Sequence, residues 1–435
     1  MKISILTVCE QLYEPFVHTS LVGKAQEKGI VQIDVQSFFS YVQPKERIDA
    51  PTFGPGAGML IRPDVVQKAI EDKQAKYGKA FKIFFSPRGQ KVDQRVLETI
   101  AARAQECSHL MFVPARYEGM DARIEDEYAD MILSMGDFVI MGGDLPAMTV
   151  IEGVLRLLPQ VVGKEESVAR DSFAGPFVDF PSYTEPVEWK DKRVPDVLRS
   201  GNHAAIEKWR QEHAVQATVK EHFSWLRSQK LTQKDRLLAQ DYIPSHYVAL
   251  MHTDVLIGEE KRLGHSSVTS VDIHDIARSS KTYGIKQFFI VTPLLDQQKI
   301  VQKMLDFWKK GIGFEYNRCR YDAIQLVQLT ASLQDTIAKI EEIEGKKPLI
   351  VTTSAKEVST EQIISFYDQT KVWKADRPVL LVFGTGQGLA PFVIEQSDYL
   401  LVPVEGFSDF NHLSVRSAVA IILDRWLSVN PRSAD

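Results

Sequence analysis

The chain has 435 residues, two to three times the length of a typical domain, which predicts two or more domains with separate cores. Hydrophobic residues (44%) and charged residues (25%) occur in globular proportions, which exclude a disordered chain, a collagen-like repeat and a coiled-coil array. The formal net charge of -5 argues against a protein that coats nucleic acid indiscriminately, because such binding needs many phosphate-neutralising lysines and arginines.

Residues 1 to about 165 alternate short β-branched or aromatic runs with amphipathic stretches. The runs predict strands at 2–7, 31–36, 81–86, 111–115 and 138–141. The amphipathic stretches predict helices at 63–76, 94–106 and 146–158. Because strands and helices alternate, this order predicts a mostly parallel α/β sheet, which we assign to a first domain at 1–165.

The middle of the chain differs in composition from both ends. Periodicity disappears between 166 and 194, where prolines punctuate an acidic, aromatic segment, and this predicts a long extended linker. Residues 195–243 are predicted to form a small helical domain. Within it, residues 195–240 carry 8 Lys/Arg against 5 Asp/Glu, so its surface is locally basic in an acidic chain.

A second α/β pattern occupies 244–435. Strands are predicted at 247–251, 287–292, 349–353, 379–383 and 399–403. Helices are predicted at 273–283, 299–310, 324–343 and 413–427. In both α/β halves the glycine-rich segments come late, whereas a dinucleotide-binding fold places its glycine fingerprint directly after the first strand.

Several common site signatures are missing from the sequence. No Walker-type phosphate loop, H-E-x-x-H pair or G-x-S-x-G elbow occurs, and the cysteine and histidine spacing offers no tetrahedral metal site. Three widely spaced cysteines cannot form a complete disulfide framework, which indicates a reducing compartment. With no apolar run near the 18 or so residues of a membrane span, we expect a cytoplasmic protein without membrane contact.

Four clusters in the first half could carry chemistry. The segment GPGAGML (54–60) holds three glycines in five residues, and SPRGQKVD (86–93) and ARYEGMDAR (115–123) each end a predicted strand. The fourth, SMGDFVIMGGDLPAM (134–148), has glycines on both sides of a predicted strand. Ligands of parallel sheets lie at the carboxyl ends of strands, but ordinary turns remain an equally simple interpretation of each cluster alone.

The last three of these clusters closely resemble motifs of the bacterial tRNA (guanine-N1) methyltransferases that act at position 37, members of the SPOUT superfamily. The resemblance also includes ARDSF (169–173) and SGNHAAIEKWR (200–210), in the family's order and spacing over about 1–240. It implies a trefoil-knotted α/β domain within a homodimer that binds tRNA and the methyl donor S-adenosylmethionine. A knot is rare enough that only resemblance could predict it.

The resemblance also assigns roles to individual residues. Asp171 would be the general base that removes the proton from guanine N1, and Arg156 would stabilise the negative charge that develops on O6. Judged without the resemblance, Asp171 is better explained by a helix or turn cap and Arg156 by a solvated helix-end cation. The implied S-adenosylmethionine site consists of Ser86, Pro87, Tyr117, Glu118, Gly119, Ser134, Met135, Gly136, Val139, Gly142, Gly143 and Pro146.

The tRNA contacts implied by the resemblance lie in two places. The glycine-rich loop would contribute Gly54, Gly56 and Gly58, although residues 49–56 depart from the family's usual run before the glycines. The helical segment would contribute Ser200, Asn202, His203, Lys208 and Arg210, with further phosphate contacts from Lys220, Arg227 and Lys230, unless these charges only face water.

The sequence also departs from the family at two single positions: Ala115 and Asp144 stand where the family usually has glycine and glutamate. The family's activity also calls for Mg2+, for which the sequence shows no ligand cluster.

The C-terminal half resembles a second SPOUT RNA methyltransferase. Its motifs are DIHDIAR (272–278), VLLVFGTGQGL (379–389) and LLVPVEGFSDFNHLSVRSA (400–418). They imply a second S-adenosylmethionine site formed by Gly384, Gly386, Gly388, Val404 and Leu413, with Arg278 and Ser414 beside the substrate RNA. Two alternatives remain open: this half could be a binding or dimerising module, and Arg278 could pair with Asp275 on its own helix.

The hypothesis for the whole chain is a two-SPOUT methyltransferase with a helical domain between its halves. The alternative is an RNA-binding protein without turnover.

Overall fold

The computed structural model describes residues 1–54, 58–163, 171–310, 317–356, 358 and 362–429. The chain divides into two compact units, Met1–Ala174 (unit 1) and Gly175–Asp435 (unit 2). Cys9, Cys107 and Cys319 are free thiols. Across the described ranges, no helix is both long and apolar enough to cross a membrane.

Unit 1 is built on a five-stranded parallel sheet in the order β2-β1-β6-β5-β7, with a separate β3-β4 hairpin. The strands are β1 (Lys2–Thr7), β2 (Gln32–Ser37), β3 (Asp49–Pro51), β4 (Met59–Ile61), β5 (Phe81–Lys91), β6 (His109–Val113) and β7 (Met131–Ser134). The helices are α1 (Glu14–His18), α2 (Ser20–Glu27), α3 (Pro63–Tyr77), α4 (Gln94–Cys107), α5 (Ala122–Tyr128) and α6 (Asp144–Leu157), with 3-10 turns at Glu10–Leu12 and Phe38–Tyr41.

Local signals in the sequence account for the helix ends of unit 1. Helix α3 begins with Pro63 in its first turn and ends at Gly78, whose φ of 85° a glycine adopts without strain. Helix α4 begins at Asp93, whose side chain accepts a hydrogen bond from the backbone N–H of Val96. One apolar face of the sheet packs against α4 and α6 and the other against α3, so each face covers a separate hydrophobic cluster.

Unit 2 begins with a helical segment that shares its core with the second sheet. Its elements are a small hairpin, β8 (Glu188–Trp189) and β9 (Lys192–Arg193), and the helices α7 (Asp196–Arg199), α8 (His203–Glu221), α9 (Phe223–Ser228) and α10 (Gln233–Gln240). Val215, Val219 and Phe223 are buried in the same hydrophobic cluster as residues of the second sheet. The basic helical segment is therefore attached by its apolar face to the C-terminal α/β part.

The second sheet is parallel and has seven strands in the order β14-β13-β10-β17-β15-β18-β16. The strands of the C-terminal part, including the β11-β12 hairpin, are β10 (His246–Met251), β11 (Val255–Ile257), β12 (Arg262–Gly264), β13 (Gln287–Val291), β14 (Val327–Thr330), β15 (Leu349–Thr353), β16 (Ile363–Ile364), β17 (Val379–Gly384) and β18 (Tyr399–Leu401). The helices are α11 (Ser270–Thr282), α12 (Leu295–Lys310), α13 (Arg318–Ile324), α14 (Leu333–Glu344), α15 (Gln369–Trp373), α16 (Pro391–Glu395) and α17 (Val415–Leu427).

The two sheets share one topology. Leaving aside the edge strands β14 and β16, the five remaining strands of each sheet, numbered along the chain, lie in the spatial order 2-1-4-3-5. The loops after the third, fourth and fifth of these strands therefore leave neighbouring positions at the carboxyl edge of both sheets. The mostly parallel α/β architecture predicted for both halves is confirmed.

Two predicted elements were wrong. Residues 138–141 form an irregular exposed loop, and the strand in this region is β7. The prediction failed because an apolar run followed by two glycines need not be buried in its own chain. The single helix predicted at 324–343 is the edge strand β14 followed by α14. The helix starts afresh at Ser332, whose side chain accepts a hydrogen bond from Asp335 N–H.

Candidate functional site

The candidate site of unit 1 is built from a bulge within β5 and from the loops that follow β6 and β7; the three strands are neighbours in the sheet. Residues 86–89 bulge out of the β5-β7 pair, because β5 pairs with β7 up to Phe85 and again from Gln90. Gly89 is required there, since a Cβ at this position would lie 2.6 Å from the backbone of Ile132. Ser86 and Pro87, both predicted for cofactor binding, thus project from the carboxyl edge.

The loop after β6 is held in an unusual backbone conformation. Tyr117 has a φ of 60° and Gly119 a φ of 118°, and Gly119 N–H donates to the carbonyl of Arg116 at 3.0 Å. The backbone of this loop is joined to the glycine-rich hairpin, because Glu118 N–H donates to Met59 O (3.1 Å) and Ile61 N–H to Gly119 O (3.1 Å). The loop and the hairpin therefore form one continuous surface.

The hairpin brings Gly58, one of the three predicted RNA-contacting glycines, beside this loop. Gly58 has a φ of 102°, and a Cβ there would lie 2.3 Å from Cγ of Glu118, so only glycine fits. Gly54 has a φ of 84°, and a Cβ there would meet no atom of the described residues within 4 Å. Gly56 lies outside the described residues.

The loop after β7 packs its backbone against the loop after β6. Gly143 N–H donates to Ala115 O at 2.8 Å, and a Cβ on Gly142 would meet the Arg116 side chain at 2.7 Å. Ser134 Oγ donates to Gly136 O at 3.2 Å. Three predicted segments, 86–89, 115–119 and 134–143, thus extend from neighbouring strands of the sheet. Met135 is half-buried in this loop, and Pro146 lies buried in the first turn of α6.

A buried polar network that the sequence analysis missed supports these loops. Asp144 is 1% exposed and accepts hydrogen bonds from Thr7 (2.5 Å), Tyr13 (3.1 Å) and Nε of Arg116 (2.7 Å). Burial, with the charge of Asp144, raises the pKa of Tyr13, so the phenol keeps its donor hydrogen. Burial acts to lower the pKa of Arg116, but the hydrogen bond and charge of Asp144 outweigh it. Asp144 entered the sequence analysis only as a departure from a family pattern; its burial was invisible there.

Asp144→Ala should therefore lower the stability of the protein. Loss of a buried carboxylate leaves three donors with fewer partners, at a cost of about 2 kcal/mol, partly relieved because the Arg116 side chain is not fully buried. We expect the melting temperature measured by calorimetry to fall by about 4–8 °C. The matched control is Asp137→Ala, which removes an exposed carboxylate of the same loop and should cost less than about 0.5 kcal/mol. Equal melting temperatures for the two variants would contradict the role given to Asp144.

Arg156 and Asp171 form a two-pronged ion pair. Nε of Arg156 lies 2.6 Å from one carboxylate oxygen of Asp171, and an Nη lies 2.9 Å from the other. The pair is partly open to solvent, with side-chain exposures of 44% and 33%. The hydrogen bond to Asp171 raises the pKa of Arg156, so the guanidinium stays charged. Arg156 lies near the end of α6, and Asp171 directly follows the undescribed residues 164–170. The two residues, fifteen positions apart in the sequence, are thus in direct contact.

In the helical segment, the predicted RNA-contacting residues surround the start of α8. Asn202 caps the helix by accepting a hydrogen bond from Ala205 N–H (3.2 Å), and Ser200 Oγ accepts from Asn202 N–H (3.1 Å). His203 is the exposed first residue of the helix. Lys208 lies 3.8 Å from Glu212, and the guanidinium of Arg210 lies 4.9 Å from the centre of the Phe180 ring. Lys230 is exposed and Lys220 half-buried.

Arg227 does not serve as a phosphate contact, which corrects the sequence-based prediction. Its guanidinium is buried, donates to the carbonyls of Arg425 (2.6 Å) and Asp424 (3.1 Å) and to Ser428 Oγ, and so caps the end of α17. Burial lowers its pKa. Arg227 therefore stabilises the end of α17. The contact joins residues about 200 positions apart, so no local sequence pattern could predict it.

In unit 2, the predicted cofactor glycines form the loop after β17. Gly386 has a φ of 62° and Gly388 a φ of 107°, and a Cβ on Gly384 would lie 2.6 Å from Leu389 N. Backbone bonds between Gln387 and Leu256 (2.8 Å) and between Leu256 and Gly388 (2.9 Å) attach this loop to the β11-β12 hairpin. Val404 and Leu413 lie in the loop after β18, and Ser414 caps α17 by accepting from Ser417 N–H. Arg278 does not pair with Asp275, whose partner is Arg416.

Comparison with known proteins gives a family match for each part of the chain. Residues 1–228 match the family model described as tRNA (Guanine-1)-methyltransferase TrmD. Residues 245–428 match the family model described as SAM-dependent RNA methyltransferase.

Similar curated proteins carry one name, tRNA (guanine-N(1)-)-methyltransferase. The protein of Nitratidesulfovibrio vulgaris is 36% identical over 433 residues, covering 98% of this chain and 99% of its own. That of Oleidesulfovibrio alaskensis is 33% identical with the same coverage. The Bacillus subtilis protein is 39% identical over 238 residues, which are 54% of this chain and 96% of its own. Both two-part and one-part relatives therefore exist.

Proposed function

The chain belongs to the tRNA (guanine-N1)-methyltransferase family, and on that basis we propose that it transfers a methyl group from S-adenosylmethionine to N1 of guanine 37 in tRNA. The activity and its methyl donor follow from the family. Position 37, the residue roles and the assembly are our proposals. The observation that carries the residue roles is the ion pair of Arg156 and Asp171 near the end of α6.

The glycines of unit 1 support a binding site for S-adenosylmethionine that consists largely of main-chain groups. At Gly136, Gly142 and Gly143 a Cβ would lie within about 3 Å of a neighbouring loop or ring, so the close approach of these loops requires glycine. A cradle of main-chain N–H and C=O groups suits adenine, whose edge offers both donors and acceptors. When bound, S-adenosylmethionine supplies the electrophilic methyl group.

Asp171 and Arg156 together match the reactive edge of guanine. That edge carries N1–H next to the O6 carbonyl, so a carboxylate and a guanidinium side by side can accept from the first and donate to the second. A neutral ring nitrogen is a poor nucleophile toward a sulfonium methyl. Asp171 therefore removes the N1 proton, while Arg156 stabilises the charge that moves to O6. The guanine edge would insert between the two side chains and exchange their mutual contacts for contacts with itself.

A homodimer is supported by an exposed apolar segment of the cofactor loop. Val139 and Met141 are 86% and 88% exposed, and Phe138, Ile140 and Leu145 add exposed apolar surface. Contiguous apolar surface of this kind indicates an interface, and a second copy of the chain is the proposed occupant. Burying Val139 in that interface would order the backbone that holds the cofactor. Sedimentation at micromolar concentration should give the mass of a dimer; a monomer at all concentrations would contradict the proposal.

Two further parts of the proposal concern topology and metal. We propose that both sheets are knotted in the trefoil manner of SPOUT proteins; support comes from their shared strand order and from the backbone contact of Gly143 with Ala115. The resemblance also implies Mg2+. Within the described residues no group of three or more His, Cys, Asp or Glu side chains could hold a metal ion, so we assign Mg2+ no ligands and no step.

For unit 2 we propose a second S-adenosylmethionine site at the loop 384–388 and action on RNA, as its family description indicates. The equivalent positions of this loop and the loop 115–119, each after the fourth strand of its sheet, support this. A module that binds RNA or dimerises without catalysis is the alternative. A second methylated nucleoside besides N1-methylguanosine would favour catalysis.

The direct test of unit 1 is mass spectrometry of nucleosides after incubating the full-length protein with S-adenosylmethionine and a tRNA transcript. N1-methylguanosine should form with guanine at position 37 and should be absent when that base is adenine. An RNA-binding protein without turnover would form none with either transcript.

A further inference from the structure

An ion pair outside the proposed reaction centre connects two parts of the cofactor site of unit 1. Nη2 of Arg88 lies 2.7 Å from Oε2 of Glu125. Arg88 is the charged residue of the 86–89 bulge, and Glu125 lies on α5, the helix that follows the loop 115–119. The pair therefore links the bulge within β5 to the segment that carries the loop after β6.

The two partners of this pair differ in exposure. The side chain of Arg88 is 72% exposed, whereas that of Glu125 is 8% exposed. The helix that carries Glu125 is held firmly, because the neighbouring Ile124 is buried in the hydrophobic cluster between the sheet and α3. Asp121 caps the same helix by accepting a hydrogen bond from Arg123 N–H at 3.0 Å. An exposed loop is thus attached to a carboxylate that a packed helix keeps in place.

The backbone of the bulge is released from the sheet. The pairing of β5 with β7 is interrupted between Phe85 and Gln90, so residues 86–89 lie outside the regular ladder. Within the bulge, Arg88 N–H donates to Ser86 Oγ across a long 3.3 Å. Ser86 and Pro87, the two residues proposed to contact the cofactor, directly precede Arg88 in the sequence. Their orientation therefore depends on where the Arg88 side chain is held.

Stability of the fold does not account for this ion pair. Burial raises the pKa of Glu125, and the charge of Arg88 offsets this effect only in part. A carboxyl group whose pKa is raised by folding lowers the stability of the protein once the pH exceeds the raised value and the group ionises. Because Arg88 is exposed, water would hydrate its charge if Glu125 were neutralised. We therefore expect no fall in the melting temperature of Glu125→Gln.

We propose that Arg88 and Glu125 are positioning residues for S-adenosylmethionine: their ion pair holds the 86–89 bulge so that Ser86 and Pro87 are oriented before the cofactor binds. The proposal rests on the proposed cofactor site of unit 1 and deepens it, since neither partner needs to touch the cofactor. A loop that is ordered in advance loses less conformational entropy when its ligand binds. Loss of the pair should therefore weaken cofactor binding and leave the chemical step unchanged.

The positioning itself is tested without cofactor, by hydrogen–deuterium exchange and mass spectrometry of the full-length protein. In Glu125→Gln a peptide that includes residues 86–90 should exchange about tenfold faster, because local opening of the bulge is no longer opposed. Glu127→Gln makes the same chemical change at an exposed position of the same helix and should leave this exchange unaltered. Equal exchange in Glu125→Gln and in the unaltered protein would overturn the proposal.

The consequence for the cofactor is measured as KM for S-adenosylmethionine in the formation of N1-methylguanosine on a tRNA transcript. Glu125→Gln should raise this KM about tenfold, as for one lost charge-assisted hydrogen bond, and should change kcat less than about twofold. Glu127→Gln should alter neither constant. A lower kcat at an unchanged KM would contradict the proposal, because orientation before binding acts on affinity.

Arg88→Gln supplies the other half of a double-mutant cycle. Both single variants break the same contact, so the double variant should raise KM no further than either of them. Additive effects would show that the two residues act separately and would overturn the proposal. If the unaltered protein forms no N1-methylguanosine, the proposed function fails, whereas the exchange measurement still decides whether Glu125 holds the bulge.

Discussion

Asp171→Asn should lower the rate constant of methyl transfer to guanine N1 by about 10²- to 10⁴-fold, the usual contribution of a general base. The amide has the size of the carboxylate but cannot take the N1 proton, and it also ends the charged contact with Arg156. The measurement is single-turnover methyl transfer to tRNA at saturating S-adenosylmethionine, so that the chemical step alone is compared.

Two controls make the Asp171 result specific. Binding of S-adenosylhomocysteine, measured by calorimetry, should change less than twofold, because Asp171 lies outside the three cofactor loops. Asp126→Asn makes the same chemical change at an exposed carboxylate of α5, outside the cofactor loops, and should leave the rate nearly unaltered. Full activity of Asp171→Asn would contradict the base assignment and leave the ion pair with a structural role only.

Arg156→Gln should lower kcat by about 10²- to 10³-fold, as expected for removal of one group that stabilises an oxyanion in the transition state. The charge on O6 appears only as N1 loses its proton, so the loss should fall on kcat more than on the affinity for tRNA. Parallel measurements of kcat and of tRNA binding by filter retention distinguish the two effects.

Arg156→Lys is the matched variant. It keeps the positive charge but replaces the planar fork that contacts both oxygens of Asp171, so we expect an activity between those of arginine and glutamine. A loss confined to tRNA affinity, with kcat unchanged in both variants, would show that Arg156 only binds RNA.

Local patterns in the sequence were sufficient for most of the architecture. Strand β15 was predicted with its observed bounds, and α4 and α17 within one or two residues at each end, because strand and helix periods and capping residues act over short distances. Five ordered motifs identified the family, and the matches over 1–228 and 245–428 confirm it. The prediction of a strand at 138–141 was wrong. The number of apolar residues suggested a buried strand, but these residues are exposed in the single chain.

The sequence by itself therefore determined the fold class, the family and the chemistry to expect, since these depend on residue types and their local order. Only the tertiary structure decided that Asp144 is buried under three donors, that Arg227 caps a distant helix, and that His252 is buried against Ser266. The reason is physical: burial and hydrogen-bond partnership are set by segments far apart in the chain. Loops gathered at one edge of a sheet have no period from which those partners could be read.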